Sequence, residues 1–116
     1  MKLDARGRLK LSERAIEQQL VDALTAHGWR VLRTNKFCSG NAVVVQGSVE
    51  PGIPDLQARR RYGHLWRLIW VEVKRPGQEL NEKQLAWWMA HPDEDRRIAR
   101  GIEDIGDLLF KALKQL

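Results

Sequence analysis

The chain has 116 residues, of which 43% are hydrophobic and 30% charged, and this composition predicts one compact cytosolic domain rather than a disordered chain. No run of about 18 apolar residues and no signal-peptide pattern is present, and the single cysteine, Cys38, excludes an internal disulfide or a cysteine-rich zinc site. The net charge of +5 favours a polyanionic partner, nucleic acid first, although a basic surface can also serve solubility alone.

The first half of the chain predicts a basic arm over residues 1–11 and then a helix over about residues 12–27. Ser12 is a suitable N-cap for this helix, and Gly28 is a natural stop. Two short apolar strands and an irregular stretch rich in Gly and Pro follow, at residues 29–33, 42–45 and 46–54.

Two longer strands, residues 55–60 and 65–74, are separated by a tight loop near Tyr62-Gly63, which predicts an antiparallel hairpin. Folding the chain at that loop brings Asp55 roughly opposite Trp70, one diagonal step from Glu72. Because side chains alternate along a strand, the second strand has two distinct faces. One face carries Trp66, Leu68, Trp70, Glu72 and Lys74, and the other, predicted to be core, carries Leu65, Ile69, Val71 and Val73.

The remaining elements are a helix, a short strand and a further helix. Asn81 is the predicted cap of the first of these helices, which ends before Pro92, and Ile98-Ala99 is a short edge strand. The last helix is predicted from a broad apolar face made by Ile102, Ile105, Leu108, Leu109, Ala112, Leu113 and Leu116.

The hairpin brings Asp55, Glu72 and Lys74 close together, and this cluster suits a divalent cation with oxygen ligands such as Mg²⁺. The segment Pro51–Pro54 forces an irregular backbone that could aim Asp55 inwards. Lys74 could then orient or activate a water, or stabilise developing negative charge. The alternative is that the three residues are ordinary charges at strand ends that form ion pairs.

Pro54-Asp55, followed by Glu72-Val73-Lys74 on the next strand, resembles the PD-(D/E)XK nuclease superfamily. The order and spacing of further motifs over about residues 12–116 look like one branch of it, the VRR-NUC domain (virus-type replication-repair nuclease). These motifs are the glutamates of the first helix, His27-Gly28-Trp29, Gly52-Ile53-Pro54-Asp55, Val71-Glu72-Val73-Lys74, and Leu80-Asn81 with Gln84.

The resemblance implies an α/β (α+β) fold with a restriction-endonuclease-like mixed β-sheet, a central antiparallel hairpin and flanking helices, in one domain over residues 12–116. It also implies hydrolysis of DNA phosphodiesters with Mg²⁺ or Mn²⁺ and no small-molecule cofactor. Small members of the family resemble Holliday-junction resolvases, so the expected substrate is branched or duplex DNA. The expected enzyme is a homodimer with two active sites, in a bacterial or phage-infected cell and away from the membrane.

By the same resemblance, Lys74 is the catalytic lysine, and a glutamate of the first helix completes the metal site. Glu17 fits the pattern best, with Glu13, one turn earlier, as the alternative. Gln84 either faces the active site or reaches back to Asn81 in a capping box. The implied metal ligands are Asp55, Glu72 and the backbone carbonyl of Val73, together with that glutamate.

Two basic groups are candidates for contacts with DNA phosphates, and solvated charged loops are the alternative for each. The groups are Arg59, Arg60 and Arg61 at the hairpin tip, and Arg96, Arg97 and Arg100. Among the tryptophans, Trp29, Trp70 and Trp88 are expected in the core or a dimer surface, and Trp87 is the candidate for an interface. Two rival functions remain, a non-catalytic nucleic-acid-binding module on the same fold and an assembly protein that binds partners through its Trp-rich face.

Overall fold

The computed structural model describes residues 11–34 and 50–109, which form a four-stranded mixed sheet flanked by helices. This confirms the predicted α+β fold class. The elements are α1 (Glu13–Ala26), β1 (Arg30–Arg33), β2 (Leu56–Tyr62), β3 (Leu65–Val73), α2 (Glu82–Ala90), β4 (Arg96–Ala99) and a 3₁₀ helix (Ile102–Leu108). Nearly all of the predicted arm, the strand predicted at residues 42–45 and the end of the last predicted helix lie outside the described residues. Within those residues, no helix is long and apolar enough to cross a membrane.

Helix α1 begins and ends where its sequence predicts. The Ser12 hydroxyl accepts a hydrogen bond from the Ala15 N–H at 3.1 Å, and Gly28, with φ of 90°, reverses the chain after the last turn. The helix buries Ile16, Leu20 and Leu24, which recur at helical spacing on one side.

The strands lie in the order β1-β2-β3-β4, with antiparallel pairing except between β3 and β4, which are parallel. We call the two sides of the sheet the core face and the outer face. The core face packs against α1 and the 3₁₀ helix, and Trp29 joins it with its indole N–H donating to the Leu108 carbonyl at 2.8 Å. The strand residues on this face are Leu56, Ala58, Ile69, Val71, Val73 and Ala99.

The register of the hairpin differs from the prediction by two residues. Tyr62 pairs with Leu65, so the turn is Gly63-His64 and not the predicted Tyr62-Gly63, and Gly63 adopts the positive φ (61°) that the turn needs. Trp70 therefore pairs with Gln57. Continued by two residues, this register brings Asp55 opposite Glu72 itself, closer than the predicted diagonal.

One further prediction about the core is wrong, and one predicted helix has a different geometry. Leu65 is 74% exposed because it lies at the hairpin tip, beyond the reach of α1. The last helix is a 3₁₀ helix in its described part, where Ile105 and Leu108 are buried at a spacing of three residues, which places them on one side of a helix with three residues per turn.

Helix α2 crosses the outer face at the C-terminal end of β3, and it reverses the predicted roles of its two tryptophans. Trp87 is buried, with its ring edge-on to Trp70 at 5.5 Å between ring centroids, whereas Trp88 is half-buried under the Arg96 guanidinium. Trp87 lies one turn after Gln84 on the side that faces the sheet, and Trp88 is rotated away from it. The predicted short strand is confirmed as β4, where the Ala99 carbonyl accepts from the Lys74 N–H at 3.1 Å.

Candidate active site

The loop before β2 holds Asp55 in place from two sides. Thr34, buried at the end of β1, donates its hydroxyl to the Pro54 carbonyl at 2.6 Å and its N–H to the Asp55 carbonyl at 2.9 Å. On the other side Gly52, with φ of 79°, lies so close to α2 that a Cβ there would be 2.1 Å from the Lys83 carbonyl oxygen. The loop thus ties the position of Asp55 to the first turn of α2.

Asp55, Glu72 and Lys74 converge at the C-terminal end of β3. Asp55 Oδ2 accepts a hydrogen bond from the Val73 N–H at 2.8 Å, and its side chain is in hydrogen-bonding contact with that of Glu72. Glu72 is 1% exposed and Lys74 8% exposed, and Lys74 Nζ lies 3.9 Å from Glu72 Oε2. Three ionisable groups therefore meet here, with Glu72 and Lys74 nearly inaccessible to solvent and Asp55 half-buried.

This surrounding raises the pKa of Glu72 from 4.5 to about 9. Burial is the main cause, because it penalises the charged carboxylate, and the neighbouring Asp55 acts in the same direction through a hydrogen bond and like charge. Lys74 opposes the shift but does not cancel it. At neutral pH the Asp55–Glu72 pair therefore holds a proton on Glu72.

Gln84 makes both of the contacts that its sequence position allowed. Its Oε1 accepts from the Asn81 N–H at 2.9 Å while Asn81 Oδ1 accepts from the Gln84 N–H at 2.9 Å, which completes the capping box. Its Nε2 donates to Glu72 Oε2 at 3.1 Å. The cap of α2 therefore orients a hydrogen-bond donor towards the carboxyl group of Glu72.

The two glutamates of α1 have different surroundings. Glu17 forms an ion pair with Arg33, with 3.0 Å between Arg33 Nε and Glu17 Oε2. Burial and then the charge of Asp55 raise the pKa of Glu17, and Arg33 opposes them. Glu13 has no ion pair in the part of the chain that the structure describes, and its charge adds to the rise in the pKa of Glu72. Both glutamates therefore border the site.

Asp55 and Glu72 supply the carboxylate oxygens that Mg²⁺ and Mn²⁺ prefer. A divalent cation held by the two carboxyl groups would displace the proton from Glu72, since metal binding releases protons from such groups. Over residues 11–34 and 50–109, however, no three His, Cys, Asp or Glu side chains form a group able to hold a metal ion. The donors fit a hard cation, and the described residues supply two carboxylates of the set. The Val73 carbonyl remains a prediction, because the observed contact to Asp55 is made by its N–H.

The structure divides the first basic group, which the sequence treats as one. Arg60 is 5% exposed on the core face, with its guanidinium 5.9 Å from the Trp29 ring centroid and 5.4 Å from that of Tyr62. It packs with the core because alternation along β2 turns it away from Arg59 and Arg61. Those two lie on the outer face beside Trp66.

The second basic group holds local segments together. Arg96 donates to the His91 carbonyl at 2.8 Å, and Arg97 forms an ion pair with Asp107 of the 3₁₀ helix at 2.6 Å. This partner lowers the pKa of Asp107. Arg100 donates to the Gln78 carbonyl at 2.6 Å and thereby fixes the loop after Lys74.

Sequence reasoning missed Arg33 and Thr34. The first neutralises Glu17, and the second fixes the backbone of Asp55. No local motif marks either residue, since both act on groups that become their neighbours only when β1 pairs with β2. Comparisons of the chain with protein-family models, with curated proteins and with solved structures gave no match.

Proposed function

We propose that this protein is a divalent-metal-dependent DNA endonuclease with a VRR-NUC-like active site at Asp55, Glu72 and Lys74. The proposal unites the order of motifs in the sequence with the convergence of these three side chains at one end of β3. Its substrate would be branched DNA such as a Holliday junction. A bacterial or phage-infected cell would be its setting, and the cytoplasm its compartment.

The observation that carries the proposal is the burial of Glu72 against Asp55. Withdrawing carboxyl groups from water is unfavourable unless their charge is balanced, and an apolar pair would serve stability better. Ordinary strand-end ion pairs, the alternative, would lie in solvent with a cation in close contact. Here Lys74 Nζ is 3.9 Å from Glu72 Oε2, and a second carboxyl group, that of Asp55, is also a neighbour of Glu72. The arrangement is understandable if the pair binds a cation.

In this proposal Asp55 and Glu72 hold Mg²⁺ or Mn²⁺, which when bound neutralises charge on phosphoryl oxygens and favours deprotonation of water. The residues of the chain then have separate tasks. The Val73 N–H and Gln84 Nε2 orient the two carboxyl groups. Lys74, nearly buried, presents an ammonium that stabilises negative charge on the phosphate under attack. Glu17 or Glu13 would supply the third carboxylate.

The test is cleavage of labelled single strand, duplex, flap and four-way junction with Mg²⁺, Mn²⁺ or EDTA. Lys74→Ala is expected to reduce the cleavage rate by about 10²–10³-fold, the usual loss when a group that stabilises developing charge is removed. Lys83→Ala, which removes an exposed lysine of α2, is the matched control and should leave the rate unchanged. Cleavage that survives EDTA, or that Lys74→Ala leaves intact, would contradict the proposal.

Branch specificity and the homodimer are tested in the same series. A resolvase cuts two strands of a symmetric junction and needs two active sites, which two-fold symmetry supplies most simply. We expect the branched substrates, four-way junction and flap, to be cut faster than linear duplex or single strand, by a species that sediments as a dimer. Equal rates on all substrates would contradict branch specificity while leaving the nuclease itself intact.

The second candidate is a nucleic-acid-binding module without catalysis. The observation that favours it is the ion pair between Glu17 and Arg33, which occupies the carboxylate expected to complete the metal site. DNA binding that is independent of metal and unchanged by Glu72→Ala, with no cleavage under any metal, would establish this function instead.

A further inference from the structure

The outer face of the hairpin tip carries a tryptophan beside two arginines of the neighbouring strand. Trp66 is 52% exposed, and its ring centroid lies 5.6 Å from Arg59 Cζ and 6.0 Å from Arg61 Cζ. Arg61 is held by a hydrogen bond from its Nε to the Gly63 carbonyl at 2.8 Å, and the exposed Arg30 of β1 pairs in register with Arg59. We call Arg30, Arg59, Arg61 and Trp66 the tip platform.

Packing and ion pairs within the fold do not explain why these four side chains lie together. In the part of the chain that the structure describes, none of the three arginines of the platform forms an ion pair with a carboxylate. Helix α2 contacts the outer face through Gln84 and Trp87, at the opposite end of β3. An exposed indole with two guanidinium groups close to its ring is a surface suited to a flat, electron-rich and negatively charged partner.

A second copy of the chain is a poor occupant of this surface. In a two-fold dimer centred on the platform the patch meets itself, so the arginines of one platform would face those of the other. By the strand register, the outer-face neighbours of the platform in β1 and β2 are Leu32 and Gln57, which supply no negative charge. The charge of the platform therefore favours a polyanion over a copy of itself.

An unpaired nucleotide combines both properties, since its base stacks on an aromatic ring and its phosphate pairs with arginine. In duplex DNA the base faces are stacked on each other, so a single exposed indole gains little there. We propose that the tip platform binds an unpaired nucleotide of DNA, so that the protein prefers duplex next to a single-stranded segment. This rests on the proposed function, because it takes DNA as the substrate.

The distance along β3 separates this platform from the chemistry. Trp66 lies six residues before Glu72 on the same face of the strand, which corresponds to about 20 Å. Trp66 therefore contacts a nucleotide remote from the cleaved phosphate. It contributes to the choice of substrate and takes no part in the hydrolysis.

The experiment measures binding in EDTA, where no cleavage can occur, by fluorescence anisotropy of a labelled hairpin duplex with or without an unpaired tail. Wild-type protein is expected to bind the tailed duplex more tightly than the blunt one. Trp66→Ala should weaken binding of the tailed duplex about 10-fold, the order expected from one stacked base, and leave the blunt duplex unchanged. Trp66→Phe should retain most of the preference.

Two matched controls use neighbouring residues on the other face of the hairpin. Leu65→Ala removes a side chain that is more exposed than Trp66 but turned away from the platform, and it should leave binding unchanged. Arg61→Ala should reduce the salt dependence of binding, whereas Arg67→Ala, whose arginine pairs with Asp95 across 3.4 Å, should not.

Three outcomes would overturn the proposal. Tailed and blunt duplexes could bind equally, Leu65→Ala could match Trp66→Ala, or Trp66→Ala could dissociate a dimer without changing DNA binding, which would assign the platform to self-association. Because binding is measured without metal, a protein that prefers tailed DNA but never cuts it would support the binding proposal and contradict the proposed nuclease function. A protein that cleaves DNA but binds tailed and blunt duplexes equally would support the nuclease function and contradict the binding proposal.

Discussion

The two ends of β3 show how packing of a helix against a strand changes the solvent exposure, and with it the protonation, of the side chains on that strand. Glu72 and Trp66 lie on the same face of β3, six residues apart, yet Glu72 is 1% exposed and Trp66 52%. Helix α2 packs over Glu72 and does not extend to Trp66. Gln84 and Trp87 of this helix exclude water from the end of β3 that carries Glu72, and the burial raises the pKa of Glu72. At the other end, the arginines of the tip platform remain accessible to a ligand. Alternation along the strand places Glu72 and Trp66 on the same face, and the position of α2 determines which of them is accessible to water.

The largest expected effect concerns the covered end and its proton. Below pH 4.5 the Glu72 carboxyl is protonated in both the folded and the unfolded chain. Between there and about pH 9 the unfolded chain has lost the proton and the folded chain keeps it, so the free energy of unfolding falls as pH rises. We expect Glu72→Gln, which is always neutral, to gain stability over wild type by up to about 1.4 kcal/mol for each pH unit in that range.

The measurement is urea unfolding of both proteins at intervals from pH 5 to pH 9, without divalent metal. The difference in unfolding free energy between variant and wild type should grow steadily with pH. Parallel curves would mean that solvent reaches Glu72 as freely as it reaches the hairpin tip, and the contrast between the two ends would disappear.

The next effect concerns what holds α2 over the site. Gly52→Ala would place a Cβ 2.1 Å from the Lys83 carbonyl oxygen and would also force a side chain to adopt φ of 79°. Gly77→Ala, at φ of 87° with nothing within 4 Å, imposes the backbone strain alone. We expect Gly77→Ala to cost about 1 kcal/mol of stability and Gly52→Ala about 1–3 kcal/mol more, by thermal unfolding.

The comparison of these two glycines isolates the close approach of loop and helix. Gly52→Ala should also lower the cleavage rate, since it moves the loop of Asp55 away from the helix that carries Gln84. Equal stabilities for the two variants would show that α2 can move away from the loop with no loss of stability, and that its position over Glu72 is not rigidly determined.

The smallest effects are expected at the open end. Arg60→Ala removes a guanidinium buried between the Trp29 and Tyr62 rings and should cost about 1–2 kcal/mol. Arg61→Ala, one residue along and on the outer face, should change stability by less than about 0.5 kcal/mol. If chemical denaturation gave the two variants the same stability, the division of the three arginines between core and platform would be wrong.

The extent of the elements could be predicted because each is marked locally. Ser12 and Asn81 begin helices with side-chain caps, and Gly28 ends one. Alternating residues along β3 correctly separated Ile69, Val71 and Val73 as core. The 3₁₀ geometry at Ile102–Leu108 could not be predicted in this way, because residues spaced by three and four suit both kinds of helix.

The site was predicted in outline and missed in its contacts. The sequence places Asp55, Glu72 and Lys74 on adjacent strands, and the structure brings them together. It does not reveal that Thr34 and Arg33 assist them, nor that Trp87 rather than Trp88 packs beside them. These residues are joined through pairing of distant strands and through the rotation of a short helix, which no local pattern specifies.

The sequence by itself determined which faces of the strands are apolar and where chain direction changes, because alternation, caps and positive-φ glycines act over a few residues. Only the tertiary structure decided the hairpin register and the cover over each end of β3. A shift of two residues keeps every side chain on its face while changing its partner, so burial does not choose between the two registers, and the turn at Gly63 fixes the one observed. Thus Asp55 meets Glu72, and α2 encloses that pair while Trp66 stays open.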